Sequence, residues 1–162
     1  MEIKIVISLP RDAASVPVTR RLLDCCLGAL GVLPDTRADL ALALTEACAN
    51  VIRHAGPGDN YEVVASTRDG RCVIEVVDTG STEGDGRDAG SVDAGSQAKP
   101  QRKQAGRSGG LPEHGRGMKI INAVVDDLSM TGNGPAGTTV HFEKALDWRP
   151  GALAEQLFAA SG

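Results

Sequence analysis

The stretch Asp39-Leu-Ala-Leu-Ala-Leu-Thr-Glu-Ala-Cys-Ala-Asn-Val-Ile-Arg-His54 limits what this chain can fold into more than any other segment. Leu40, Leu44, Ala47 and Val51 recur at helical spacing, so one stripe of a helix must be buried against apolar neighbours. Glu46 and Asn50 are four apart, which stacks a carboxylate and a carboxamide on one side of that helix. Asparagine is a poor helix former because its side chain competes for backbone hydrogen bonds. An Asn inside an Ala/Leu-rich helix is therefore either part of a solvated polar face or a functional group. Its oxygen is a hard ligand suited to magnesium, and a glutamate one turn away can accept a proton from an attacking hydroxyl. The helix alone does not choose between the two.

A chain of 162 residues is long enough to bury one core without disulfide or metal staples. Two Phe, one Tyr and one Trp make that core aliphatic. The formal net charge of -4, without a basic stripe interleaved with aromatics, argues against a dedicated nucleic-acid binder. Cys25, Cys26, Cys48 and Cys72 lack C-x-x-C spacing and lie in apolar contexts, so they read as buried thiols of a reducing compartment. The scattered histidines form no zinc pattern. Met1 leads directly into an alternating strand, with no signal peptide and no bilayer-length apolar run. A cytoplasmic protein away from the membrane is expected.

Residues 2–9 alternate as a first strand ended by Pro10. A helix follows from a Ser15 cap to about Ala29, with Pro17 in its first turn and Gly31 at its end. Its inward face is expected from Leu22, Cys25 or Cys26, Ala29 and Leu30. Arg20, Arg21 and Asp24 face outward, and the arginine pair is either a solvated face or a dock for an acidic partner. The central helix is entered through Pro34-Asp35 and ended by Gly56-Pro57-Gly58, with His54 capping its last turn. Residues 61–67 and 71–77 are strands joined by the hairpin turn Arg68-Asp69-Gly70, and the second ends at Asp78-Thr79-Gly80.

Residues 81–113 are dominated by Gly, Ser and charged side chains. Such a segment cannot bury enough apolar surface to offset its ordering entropy, so a linker or functional lid is expected. Gly115-x-Gly117 then opens a helix to about Asp126. Residues 128–130 and 138–142 form a last hairpin, and residues 148–160 a weakly amphipathic tail carrying Leu153, Leu157 and Phe158.

Three further short signals bear on chemistry. Asp78 can accept a hydrogen bond from an exocyclic amine such as adenine's, and Gly80 lets a flat base approach; Asp-x-Gly is equally ordinary turn chemistry. Gly115-x-Gly117 offers amides and a helix N-terminus to phosphate, with Arg116 or Lys119 adding charge. It follows no strand and lacks a third spaced glycine, which excludes the dinucleotide fingerprint. The run from Gly132 to Thr139 matches P-loop glycine spacing, but Thr138 stands in place of the lysine and a strand follows. The protein-kinase H-R-D and D-F-G motifs are absent.

In their order along the chain these pieces resemble the GHKL (Bergerat) ATP-binding fold. Glu46-Ala-Cys-Ala-Asn50-Val-Ile-Arg-His54-Ala55 resembles the N box, and Asp78-Thr-Gly80 the G1 box. Gly115-Arg116-Gly117-Met118 is similar to G2, and Gly137-Thr138-Thr139 to the last box. Over residues 3–145 the chain most resembles the anti-sigma-factor serine/threonine kinases of bacteria. The resemblance implies an α/β (α+β) two-layer sandwich, with a mixed, mostly antiparallel sheet, helices on one face and a long mobile lid. It implies a kinase domain in residues 1–146, including a lid at 81–113, and a C-terminal tail at 147–162.

By the same resemblance Asn50 would bind magnesium that bridges the phosphates of ATP, and Glu46 would activate a protein hydroxyl. Asp78 would select adenine with Gly80 beside the base. Gly115, Arg116, Gly117 and Met118 would hold phosphates from the lid end, and Thr139 would help Asp78 orient the base. The partners implied are a sigma factor and an anti-anti-sigma factor with a STAS domain. Family members often dimerise through the N-terminal strand and helix, and Arg20 or Arg21 is the expected partner contact. Two departures stand out: Thr82 replaces a further G1 glycine, and the lid is long and polar, with Arg102, Lys103 and Arg107 available to trap phosphate. Two other readings stay open. One is an ATP-binding regulatory module without kinase activity, which would have no need of a base at Glu46. The other is a histidine-kinase catalytic domain, for which an acceptor helix upstream of the first strand is not seen.

Overall fold

Period-two alternation in five segments builds one sheet, and two long amphipathic helices cover one side of it. The computed structural model describes residues 2–54, 60–78, 114–132, 137–154 and 156. In chain order the elements are β1 (Ile3–Pro10), α1 (Ser15–Leu30), α2 (Pro34–His54), β2 (Asn60–Arg68), β3 (Arg71–Asp78), α3 (His114–Val124), β4 (Asp127–Gly132) and β5 (Thr138–Ala145). The segments expected at 56–58 and 81–113, Gly80 and the side chain of His54 lie outside the described residues.

The strands lie in the order β1-β2-β3-β5-β4, and every pair is antiparallel. The mixed sheet expected from the sequence is thus corrected to an antiparallel one among the described residues. The reason is topological. The α3 connection carries the chain past one position to the sheet edge, and β5 folds back into that position antiparallel to both β3 and β4. The turn between β2 and β3 places Asp69 at φ 50 and Gly70 at φ 74, the left-handed pair that an Asp-Gly hairpin requires.

The stripe read from the central helix is the centre of the core: Leu40, Leu44, Ala47 and Val51 are fully buried on α2. They meet Val63, Ile74, Val76, Val140 and Phe142, which project from one face of the sheet. Each buried Leu, Ile, Val or Phe contributes about 2 kcal/mol of transfer free energy.

On α1 the inward face differs from expectation. Ser15, Thr19, Leu23 and Leu27 are buried, whereas Leu22 and Cys25 are exposed and Cys26 half-buried. Two hydroxyls extend the buried stripe because both are satisfied. Ser15 Oγ donates to the Asp12 carbonyl at 2.6 Å and lies 2.7 Å from the Tyr61 hydroxyl. Thr19 Oγ1 donates to the Ser15 carbonyl at 3.1 Å. Ser15 is therefore the first helical residue and not the cap; Ala14 holds the cap position without a side-chain bond. Of the four thiols expected to be buried, only Cys48 and Cys72 are.

Gly31 ends α1 at φ 91, as its position suggested, and a Cβ there would lie 2.6 Å from that of Ala152. The tail returns to this point: Leu33 N–H donates to Asp147 and Arg149 N–H to Gly31, both at 2.8 Å. Ala152 and Ala154 are buried and Leu153 is exposed; Leu157 and Phe158 lie outside the described residues. Among the described residues no helix is long and apolar enough to cross a membrane.

Candidate functional site

The polar side of α2 faces the N-terminus of α3, and the two helices enclose a cavity of about 320 Å³. Glu46, Arg53, Arg116, Gly117 and Ile120 line it. Glu46 and Arg53 are seven apart on α2, two turns along one side. Gly117 lies in the first helical turn of α3, where a Cβ would sit 2.9 Å from Glu46 Oε2. The glycine thus lets the carboxylate approach the helix N-terminus, whose first amides have no intrahelical acceptor. Gly115 is half-buried with open space above it, Arg116 is exposed, and Met118 packs against the core. Asn50, one turn beyond Glu46, donates its Nδ2 to Met130 Sδ on β4 at 3.5 Å. With the amide end engaged there, the carbonyl oxygen is the atom a hard cation would take.

The second half of the site is a corner at the end of β3. Asp78 pairs with Tyr61 in the β2–β3 register and so shares the helix-covered face. Its side chain is withdrawn from solvent and ion-paired with Arg11. Gly137 closes the corner at φ 98. A Cβ at Gly137 would lie 2.8 Å from the Asp78 carbonyl oxygen and 2.9 Å from Asp78 Cβ and Cγ. Tyr61, beneath Asp78, is held by Ser15, and burial raises its hydroxyl above the usual 10.0. Burial also pushes the neighbouring Cys48 thiol up to about 12, against a hydrogen bond with Tyr61 that lowers it.

The structure therefore joins Glu46 with Gly117 and Arg116, and Asp78 with Gly137. It does not bring Thr139 to Asp78. Thr139 pairs with Val77, and strand alternation turns it to the opposite face of the sheet. Thr138, in phase with the buried Val140 and Phe142, is the threonine on the Asp78 side. Alternation along β5 was the signal for that choice. Arg53 also escaped the sequence reading, although its seven-residue spacing from Glu46 was legible. Arg11, 67 residues from Asp78, carried no signal at all.

The donor set fits the group that the N-box resemblance implies. No cluster of three or more His, Cys, Asp or Glu able to cage a metal occurs among the described residues. A carboxamide and a carboxylate one turn apart instead suit magnesium shared with nucleotide phosphates, since that ion keeps several non-protein ligands. Gly117, which leaves room beside Glu46 where a Cβ would intrude, is the matching steric feature.

A family model described as the histidine kinase-like ATPase domain matches residues 9–144. The serine-protein kinase RsbW of Bacillus cereus (strain AH820) is 28% identical over 129 residues, which span 78% of this chain and 76% of that protein. RsbW of Bacillus thuringiensis (strain Al Hakam) is 29% identical over 132 residues, with the same coverage. Among solved structures, the RsbU and RsbW domains of Rv1364c from Mycobacterium tuberculosis match with a TM-score of 0.62 at 19% identity. That match covers 89% of this chain and 32% of the other, and it is a likeness of fold.

Proposed function

The chain belongs to the histidine kinase-like ATPase domain family, and from that premise we propose that it is an ATP-dependent protein serine/threonine kinase acting as an anti-sigma factor. In this reading it binds a sigma factor and phosphorylates a STAS-type antagonist, so that partner exchange switches transcription. The observation that carries the reading is the Glu46 carboxylate set against the N-terminus of α3, in a cavity flanked by Arg53 and Arg116. A module that only bound nucleotide would need charge neutralisation there, not a carboxylate. The likeness to serine-protein kinases named RsbW supports the same choice.

The roles follow from the donor types. Asp78 accepts the exocyclic amine of adenine, with Gly137 and Thr138 completing its corner. Asn50 would hold magnesium, which would supply charge to offset that of the phosphates. The first amides of α3 and Arg116 receive the phosphates. Glu46 takes the proton from the substrate hydroxyl as that oxygen attacks the terminal phosphorus and ADP leaves. Such transfer depends mainly on positioning and charge, which is what these groups supply. Arg20 and Arg21 are exposed on α1 around a hollow of about 230 Å³ and form the proposed contact for an acidic partner surface.

The test is transfer of labelled phosphate from ATP to a candidate antagonist. Glu46→Gln is expected to lower transfer by about 10³-fold while leaving nucleotide affinity within about threefold. Equal transfer by the variant removes Glu46 from the role. Phosphate on the product that survives acid and is lost in alkali marks a serine ester; the reverse marks phosphohistidine.

A further inference from the structure

Asp78 shares its dry corner with a cation. The Arg11 guanidinium is ion-paired with it, and the two side chains are 10% and 0% exposed. Arg11 stands one residue beyond β1, in a tight link to α1. Asp12 N–H donates to the Pro10 carbonyl at 2.8 Å, and Ser15 N–H to the Asp12 carbonyl at 2.9 Å. Ser15 Oγ then anchors the far end of the link on Tyr61, the register partner of Asp78. A turn pinned at both ends thus delivers the guanidinium to the carboxylate.

Two buried charges of opposite sign stabilise each other, because a buried charge without its counter-charge is strongly disfavoured. The pairing also decides which hydrogen bonds Asp78 can make. An ionised carboxylate is acceptor-only, with several lone pairs beyond the one that meets the cation. We propose that Arg11 is a specificity-determining positioning residue of the base site. It holds Asp78 as an ionised acceptor, which welcomes the amine of adenine and rejects a base with a carbonyl at that position. The proposal rests on the reading of Asp78 as the adenine acceptor. Removing the Arg11 counter-charge moves the buried carboxyl toward its neutral form, whose O–H donates to a carbonyl as readily as its other oxygen accepts from an amine. Discrimination then collapses even where a nucleotide still binds.

The experiment compares ADP with IDP, which carries a carbonyl in place of the amine, by calorimetry on the full chain with magnesium. Wild type, Arg11→Gln, Arg11→Lys and Asp78→Asn are measured. Wild type is expected to prefer ADP, Arg11→Gln to narrow that preference by about tenfold, and Arg11→Lys to keep it within about threefold. An Arg11→Gln protein with the wild-type ratio overturns the proposal whatever its absolute affinity. An Arg11→Lys protein whose ratio collapses to that of Asp78→Asn overturns it as well, and this arm holds where Arg11→Gln does not fold. Wild type binding ADP and IDP equally sinks the Asp78 reading together with the Arg11 role. A preference lost in Asp78→Asn but intact in Arg11→Gln sinks the Arg11 role alone.

Discussion

Gly137 and Gly117 each stand against a carboxylate of the proposed nucleotide site, and their surroundings differ in kind. At Gly137 an added methyl would meet the backbone oxygen of Asp78 and the root of its side chain, in a corner without solvent. At Gly117 its one close contact would be the carboxylate tip of Glu46, beside an open polar cavity. One carboxylate is fixed by strand pairing, a glycine in the left-handed region and an ion pair. The other projects from a helix beside open space. The contrast suits the two proposed tasks: choosing a base needs a dry, immobile acceptor, whereas proton transfer needs a carboxylate that a substrate can reach.

The largest expected effect that sharpens this contrast is Glu46→Gln, where about 10³-fold in transfer corresponds to about 4 kcal/mol of barrier with folding stability unchanged. Stability and chemistry should part company in this way only at the open end. At the closed end, Gly137→Ala combines a disfavoured φ with contacts on backbone that cannot yield. It is expected to lower unfolding free energy by about 2–4 kcal/mol in urea titrations.

Gly117→Ala should do the opposite. Glu46 swings aside, transfer falls by about 10²-fold, and stability stays within about 1 kcal/mol because alanine favours the helix. Equal stability losses for the two glycine variants would erase the distinction between the two corners.

Smaller effects probe the closed corner from beneath. Tyr61→Phe removes the partner of Ser15 and is expected to cost about 1 kcal/mol, again read in urea. The thiols give the mildest test. Burial pushes Cys48 and Cys72 up to about 12 from 9.0, so both stay protonated in the fold while the unfolded chain ionises. Their contribution to stability is complete below pH 9 and is lost as pH climbs from about 9 to about 12. Cys72→Ala should show a shallower fall across that window. At pH 8 the exposed Cys25 should react with a thiol reagent well before the buried pair.

Much of the molecule was legible locally. The α2 stripe, the Asp-Gly hairpin and the placement of the strands followed from periodicity and turn chemistry, which act over a few residues. The α1 face was not, because Ser15 and Thr19 are buried by bonds to Tyr61 and to each other that hydropathy does not encode. Alternation along β5 separates Thr138 from Thr139, but that Thr139 lies opposite Val77 is set by the register of β5 against β3.

By itself, then, the sequence determined where the helices and strands form and which residue types are available for the proposed base, magnesium ligand and adenine acceptor. Short-range periodicity and donor chemistry are written residue by residue. The tertiary structure alone decided that the sheet is antiparallel, that Gly117 makes room for Glu46, and that Arg11 meets Asp78 from 67 residues away. Those outcomes depend on which distant groups share a desolvated space, and a buried charge takes whatever partner the packed chain brings to it.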